Sequence, residues 1–137
     1  MAAASSPTSS RGLVQAFFDR LGHQGDVEGW LGLLAADIVV DTPFSPTGDA
    51  RRFEGLEAVE RRFADARRRM TALEFLDLEI LATEDPERWV ATCRSEGRMA
   101  DGSAYANRYC WIFRIRDGSI VWWCEYFDPQ EVLAVRR

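Results

Sequence analysis

Apolar positions divide this chain into a helical first half and a stranded second half. From Arg11 to about Leu21, the residues Leu13, Val14, Phe17, Phe18 and Leu21 recur at helical spacing. Gly22 and Gly25 break the pattern. Asp26 can cap a second helix, in which Val27, Trp30, Leu31 and Leu34 share a face. Ile38 to Thr42 reads as a short strand stopped by Pro43. Pro43 to Phe53 is a loop rich in Pro, Gly and Asp, and it carries Phe44 and Phe53. From Glu54 to Met70, Leu56, Val59, Phe63, Ala66 and Met70 step by three and four. They predict a third amphipathic helix with its arginines outside.

Strand patterns follow. Leu73 to Leu81 alternates with a phase change at Phe75-Leu76, which suggests a bulge. Glu84 to Glu87 is a turn, Trp89 to Ser95 a strand, and Met99 to Ser103 a polar connection. The stretch Tyr105 to Pro129 reads as two long strands joined at Asp117-Gly118, a strong hairpin signal. On the first of them, Tyr105, Asn107, Tyr109, Trp111 and Phe113 share a face. On the second, Val121, Trp123 and Phe127 fall on one side, and Ile120, Trp122 and Tyr126 on the other. Pro129 to Val135 predicts a short terminal helix. Helices set apart from a run of antiparallel strands indicate the α+β class. The sheet must curl around the helices, leaving a cavity between its concave face and the first two. Residues 1–10 read as a disordered tail and 11–137 as one domain.

Composition narrows the function. A net charge of -5 leaves no broad basic field for nucleic acid. No apolar run approaches the roughly 20 residues of a membrane span. The N-terminus has no secretory pattern, so a cytoplasmic location is expected. Three cysteines without CxxC spacing, Cys93, Cys110 and Cys124, argue against a disulfide framework or a zinc site. The single histidine, His23, lies in a Gly-flanked loop and is assigned no catalytic part. No metal or cofactor is expected.

One residue breaks the apolar pattern where a break costs most. Glu125 lies in the middle of a strand that is apolar on both faces. Burial penalises the ionised form of a carboxylate, and a carboxyl poised to exchange a proton near neutral pH suits acid/base work. The plainer role is an ion pair, with an arginine such as Arg108 across the sheet. Two hairpin registers are open. A strict two-residue turn puts Tyr109 opposite Tyr126 and Glu125 on the Cys110 and Arg108 face. A three-residue loop puts Tyr109 opposite Glu125, on the Asn107 and Trp111 face.

Several stretches resemble a known family. Y-A-N-R-Y, F-R-I-R-D-G-S-I and E-Y-F-D-P-Q-E-V-L-A resemble the C-terminal block of the phenazine-biosynthesis A/B proteins and their SnoaL-like relatives. D-T-P-F-S-P-T-G-D-A-R-R-F-E-G-L-E-A-V resembles their Pro-Phe-x-Pro loop and Gly-capped helix, and D-P-E-R-W-V their strand entry. The resemblance implies the nuclear-transport-factor-2-like cone, and with it Glu125 in the cavity as acid/base. Two departures stand out: Cys124 where relatives carry Arg, and Trp111 where they carry a polar residue. At the ketosteroid-isomerase positions stand Phe17, Thr42 and Trp111, so steroid isomerisation is not implied. Asp41 matches a strand asparagine of the epoxide hydrolases of this fold.

The residues expected around a ligand are Asn107, Tyr109 and Tyr105, which could orient a carbonyl or hydroxyl, with Trp111, Trp123, Phe17, Trp30, Phe44 and Asp41. Several have blander alternatives. Asn107 and Tyr109 could be core, Phe44 could pin its loop, and Asp41 could be an exposed strand end. The expected function is that of a cofactor-independent enzyme of secondary metabolism. It would isomerise, cyclise or condense an apolar, polyketide-like or polycyclic substrate. The alternatives are a non-catalytic binding or partner protein of the same fold, and epoxide-hydrolase-like hydrolysis. The apolar outer face of the last strand predicts a homodimer through the sheet.

Overall fold

The computed structural model describes residues 9–22 and 25–136. Residues 1–8 of the expected tail, and His23, lie outside them. Helix α1 (Ser10–Leu21) starts one residue earlier than the pattern indicates, because the Ser9 side chain accepts from Gly12 N and caps it. Helix α2 (Val27–Leu31) is capped by Asp26 through Gly29 N. It is shorter than expected, because Leu34 already belongs to strand β1 (Leu34–Asp41). Part of what reads as loop forms a three-residue strand, β2 (Arg52–Glu54), before helix α3 (Leu56–Arg69). Four long strands follow: β3 (Met70–Ala82), β4 (Arg88–Met99), β5 (Ala104–Arg116) and β6 (Ser119–Phe127). Helix α4 (Pro129–Ala134) begins with Asp128 as its cap and Pro129 in its first turn.

The six strands form one sheet in the order β2-β1-β6-β5-β4-β3. Every pairing is antiparallel except β1 with β6, which run parallel. This is the α+β cone, a curved and mostly antiparallel sheet around helices. The β3 bulge falls between Leu76 and Glu79, just after the expected place, with Asp77 at φ 56°.

The β5–β6 hairpin resolves the register in a way that neither expectation contained. Asp117 and Gly118 both take positive φ, 51° and 76°, as a two-residue type I′ turn requires. Ile115 accordingly pairs with Ile120. The next pair is Arg114 with Trp122, so Val121 is an extra residue in β6. From there the faces are exchanged: Phe113 meets Trp123, Trp111 meets Glu125, and Tyr109 meets Phe127. Glu125 therefore shares the inner face with Trp111 and Asn107, reached by a tight turn plus a bulge rather than by a longer loop. The bulge also corrects the face assignment of β6. Ile120 and Trp123 are both fully buried on the inside, and Trp122 is outside.

Phe17 of α1 is the hub of the core. Its ring lies 5.0 Å from those of Phe113 and Trp123 and 5.5 Å from Trp30 and Trp111. Offset and edge-on aromatic pairs add to the burial of their apolar area. No helix among the described residues is long and apolar enough to cross a membrane.

Candidate functional site

Between the concave face of the sheet and the helices lies a cavity of about 1290 Å³, open to solvent on one side. Its floor is Phe17, Trp30, Trp111 and Trp123. Phe63 of α3 and Phe75 of β3 form its sides. The helical wall is therefore chiefly α3 rather than α1 and α2. Small-molecule sites are commonly lined this way, by aromatic rings with few polar groups.

Glu125 is the innermost charge of that lining, only 5% exposed. Its Oε1 accepts two hydrogen bonds, from Trp123 Nε1 at 3.1 Å and from Arg62 NH1 at 3.3 Å. Oε2 has no protein partner among the described residues. The ion-pair partner is thus Arg62 of α3, not Arg108, which is exposed on the outer face. Arg62 corrects the expectation that all arginines of this helix point outward. It lies three residues after buried Val59 and next to Phe63, inside the apolar stripe. The spacing alone marks it. The guanidinium also lies 5.1 Å over the Phe53 ring, which fixes its direction.

Two phenols stand on the same face of β5. Tyr105 and Tyr109 both line the cavity. Tyr109 exchanges a hydrogen bond of 2.9 Å with buried Ser95. Tyr105 Oη accepts from Asn107 Nδ2 at 2.7 Å, leaving its own hydroxyl hydrogen uncommitted. Burial, first of all, raises the pKa of both phenols above the ordinary tyrosine value, so both are neutral donors at physiological pH.

Asn107 does not line the cavity. Its amide donates to Tyr105 and to the Asp128 carbonyl, and its oxygen accepts from Arg108 N and Asp128 N. All four capacities are filled by protein, so Asn107 ties β5 to the start of α4 and orients Tyr105.

Two expected ligand contacts lie elsewhere. Asp41 is on the outer face, because Ile38 and Val40 take the inner positions of β1. There it is held by a two-pronged pair with Arg52, at 2.7 and 3.0 Å, and by Trp122 Nε1 at 2.9 Å. The Arg52 hydrogen bond, above all, keeps its carboxyl below the usual range. An acid–Arg–acid set for epoxide opening is therefore not assembled in the cavity from Glu125 and Asp41. Phe44 is 53% exposed and packs edge-on against Tyr126, pinning its loop to the outer side. Ser45, Pro46 and Phe53 of the same segment reach the cavity instead.

The two buried thiols are not activated. Burial pushes Cys93 up to about 11 and raises Cys124 as well. Among the described residues, no group of three His, Cys, Asp or Glu side chains could hold a metal ion.

The model of the SnoaL-like domain matches residues 14–123. An uncharacterized PhzA/B-like protein of Pseudomonas aeruginosa is 29% identical over 80% of this chain and 78% of its own length. Two solved structures share the fold. A phenazine biosynthesis-related protein of P. aeruginosa superposes with a TM-score of 0.80 at 18% identity, over 90% of this chain and 82% of its own. A "putative polyketide cyclase" of Xanthomonas campestris also gives 0.80, at 24% identity, over 95% and 98%.

Proposed function

Because this chain belongs to the family of SnoaL-like domains, we propose that it is a cofactor-independent enzyme of the isomerase or cyclase type. Its substrate is an apolar, polycyclic or polyketide-like molecule of secondary metabolism. The fold alone hosts many activities, and the observation that carries this reading is Glu125. A carboxylate set deep in an aromatic cavity, with one oxygen held and the other without a protein partner, is built to exchange a proton with what enters.

The chemistry follows from the two oxygens. Arg62 and Trp123 hold Oε1 and orient the group. Oε2 takes a proton from a substrate carbon next to a carbonyl; the C–H electron pair forms the enolate double bond, and the carbonyl π pair moves onto its oxygen. That oxyanion needs donors that do not ionise, which Tyr105 and Tyr109 supply as neutral phenols. Returning the proton to a different carbon isomerises the substrate. Attack of the enolate carbon on a second carbonyl closes a ring; the π pair of that carbonyl moves onto its oxygen, which takes the proton that Glu125 holds. Tyr109 and Glu125 are diagonal neighbours across β5 and β6, roughly 7 Å apart along the sheet. That spacing suits a carbonyl oxygen at one end and a reacting carbon nearer the other.

Deuterium wash-in tests this without knowledge of the natural substrate. Cyclic 1,3-diketones and polycyclic aryl ketones are incubated with the protein in D₂O and followed by proton NMR. Members that bind should exchange their acidic C–H faster than in buffer. Saturable binding of such compounds with no exchange above buffer would favour the non-catalytic binding protein instead.

A further inference from the structure

Arg62 holds more donors than it uses. A guanidinium carries five N–H groups in a planar fork. Among the described residues Arg62 makes one hydrogen bond, the 3.3 Å contact to Glu125 Oε1. Its remaining contact is the stacking over Phe53. The side chain is one-third exposed and lines the cavity, so the unused edge of the fork is not buried in protein. An arginine meant only to neutralise Glu125 would take the carboxylate with both prongs, as Arg52 takes Asp41 at 2.7 and 3.0 Å.

The mouth of the cavity has the same bias. Besides Arg62, its lining includes Arg61, Arg67, Arg68, Arg69 and Arg136, against Asp49, Asp65, Asp101 and Glu125, with Arg68 and Arg69 paired to Asp65, Arg136 to Asp49 and Arg61 to Glu57 outside the lining. This excess of positive charge sits on a chain whose net charge is -5. A cleft whose sign opposes that of the whole protein draws in ligands of the complementary charge.

We infer that Arg62 is the anchor for an anionic group on the ligand, and that the cavity selects planar aromatic carboxylates, or equivalent delocalised oxyanions, over neutral molecules of the same shape. The anion takes the free edge of the fork, and the aromatic body lies against Trp111, Tyr109 and Phe75. Arg62 acts here as a specificity determinant. The inference rests on the reading that the cavity takes a small apolar-bodied molecule, but not on Glu125 being the base. The bound anion and Glu125 compete for one guanidinium, so removing the Glu125 charge should favour the ligand.

The test is a binding comparison between 2-naphthoate and its neutral isostere 2-naphthamide, read by tryptophan fluorescence and calorimetry. The wild type should bind the carboxylate at least about tenfold more tightly, the scale of one hydrogen-bonded charge pair. Arg62→Gln should bring the two probes to within about twofold. Arg62→Lys, which keeps the charge but not the fork, should fall between. Glu125→Gln should strengthen naphthoate binding. Melting curves establish that each variant is folded, and the lysine variant keeps a counter-charge for Glu125 should the glutamine variant fail. Equal affinities in the wild type, or a carboxylate preference that survives in folded Arg62→Gln or is undiminished in Arg62→Lys, would overturn the inference. Binding of neither probe at millimolar concentration would overturn it together with the small-molecule reading. An Arg62-dependent preference without any deuterium exchange would leave it standing while the catalytic reading fell.

Discussion

Glu125 carries both its hydrogen bonds on one oxygen, and the residues around it divide into those that hold it and those that shape the space before it. Trp123 and Arg62 hold it. Trp111, opposite it on β5, shapes the space. Its ring stacks on Phe113 and meets Phe17 and Phe18 edge-on, and it is 3% exposed. Trp111→Ala should therefore cost about 3–5 kcal/mol, the range for truncating a buried tryptophan. It should also widen the set of aromatic compounds bound. A folded variant with an unchanged ligand profile would show that Trp111 serves only the core. Glu125, the tyrosines and the tryptophans were legible in the sequence, because a lone acid in an aromatic run and a strict alternation are local signals. Arg62 is not singled out there, because the arginines of this helix read together as its outer side, although its place between Val59 and Phe63 puts it in the apolar stripe. Asp41 and Phe44 stay open between cavity and surface for a related reason: whether a strand-end or loop residue faces in or out depends on pairing partners far away in the chain.

At the scale of elements, the bulge in β6 decides which way the site faces. The Asp117-Gly118 turn by itself would set Glu125 on the outer face, and the extra residue Val121 reverses that. Side chains alternate with a period of two, so a one-residue slip exchanges every later side chain across the sheet. Deleting Val121 should remove the bulge and leave every later pair in place, because Ile120 and Trp122 then follow one another opposite Ile115 and Arg114. Trp123 and Glu125 would then stay inward, opposite Phe113 and Trp111, and the variant should fold and keep its ligand binding. A melting curve and a titration with a bound aromatic probe would check this. Loss of probe binding in a folded variant would contradict this register. A bulge of this kind leaves no mark on a sequence whose residues are apolar on both sides, which is why the register stayed open while the hairpin itself was plain. The three-residue strand β2 was similarly illegible, because it is ordered by pairing with β1 rather than by its own pattern.

In the whole molecule, one face of the sheet borders the cavity, and the other carries an apolar patch among arginines. On the other, Trp122 and Tyr126 of β6 adjoin Cys110 and Ile112 of β5 and Val90 of β4, all only half-buried in the single chain. We expect a second copy of the chain to cover this face, in an interface of about 1,600 Å² or more. Sedimentation at micromolar concentration should return a dimer mass, and a monomer would contradict that expectation. A melting curve and a deuterium-exchange rate on one preparation of Glu125→Gln test whether Glu125 moves the proton. This change keeps the shape and an oxygen to accept from Trp123 and Arg62, but removes the titrating group. As the proton carrier, Glu125 should leave a folded variant that still binds its ligands and exchanges about 10²–10⁴ times more slowly, the range for one positioned acid/base group. A folded Glu125→Gln variant that exchanges at the full wild-type rate would contradict it.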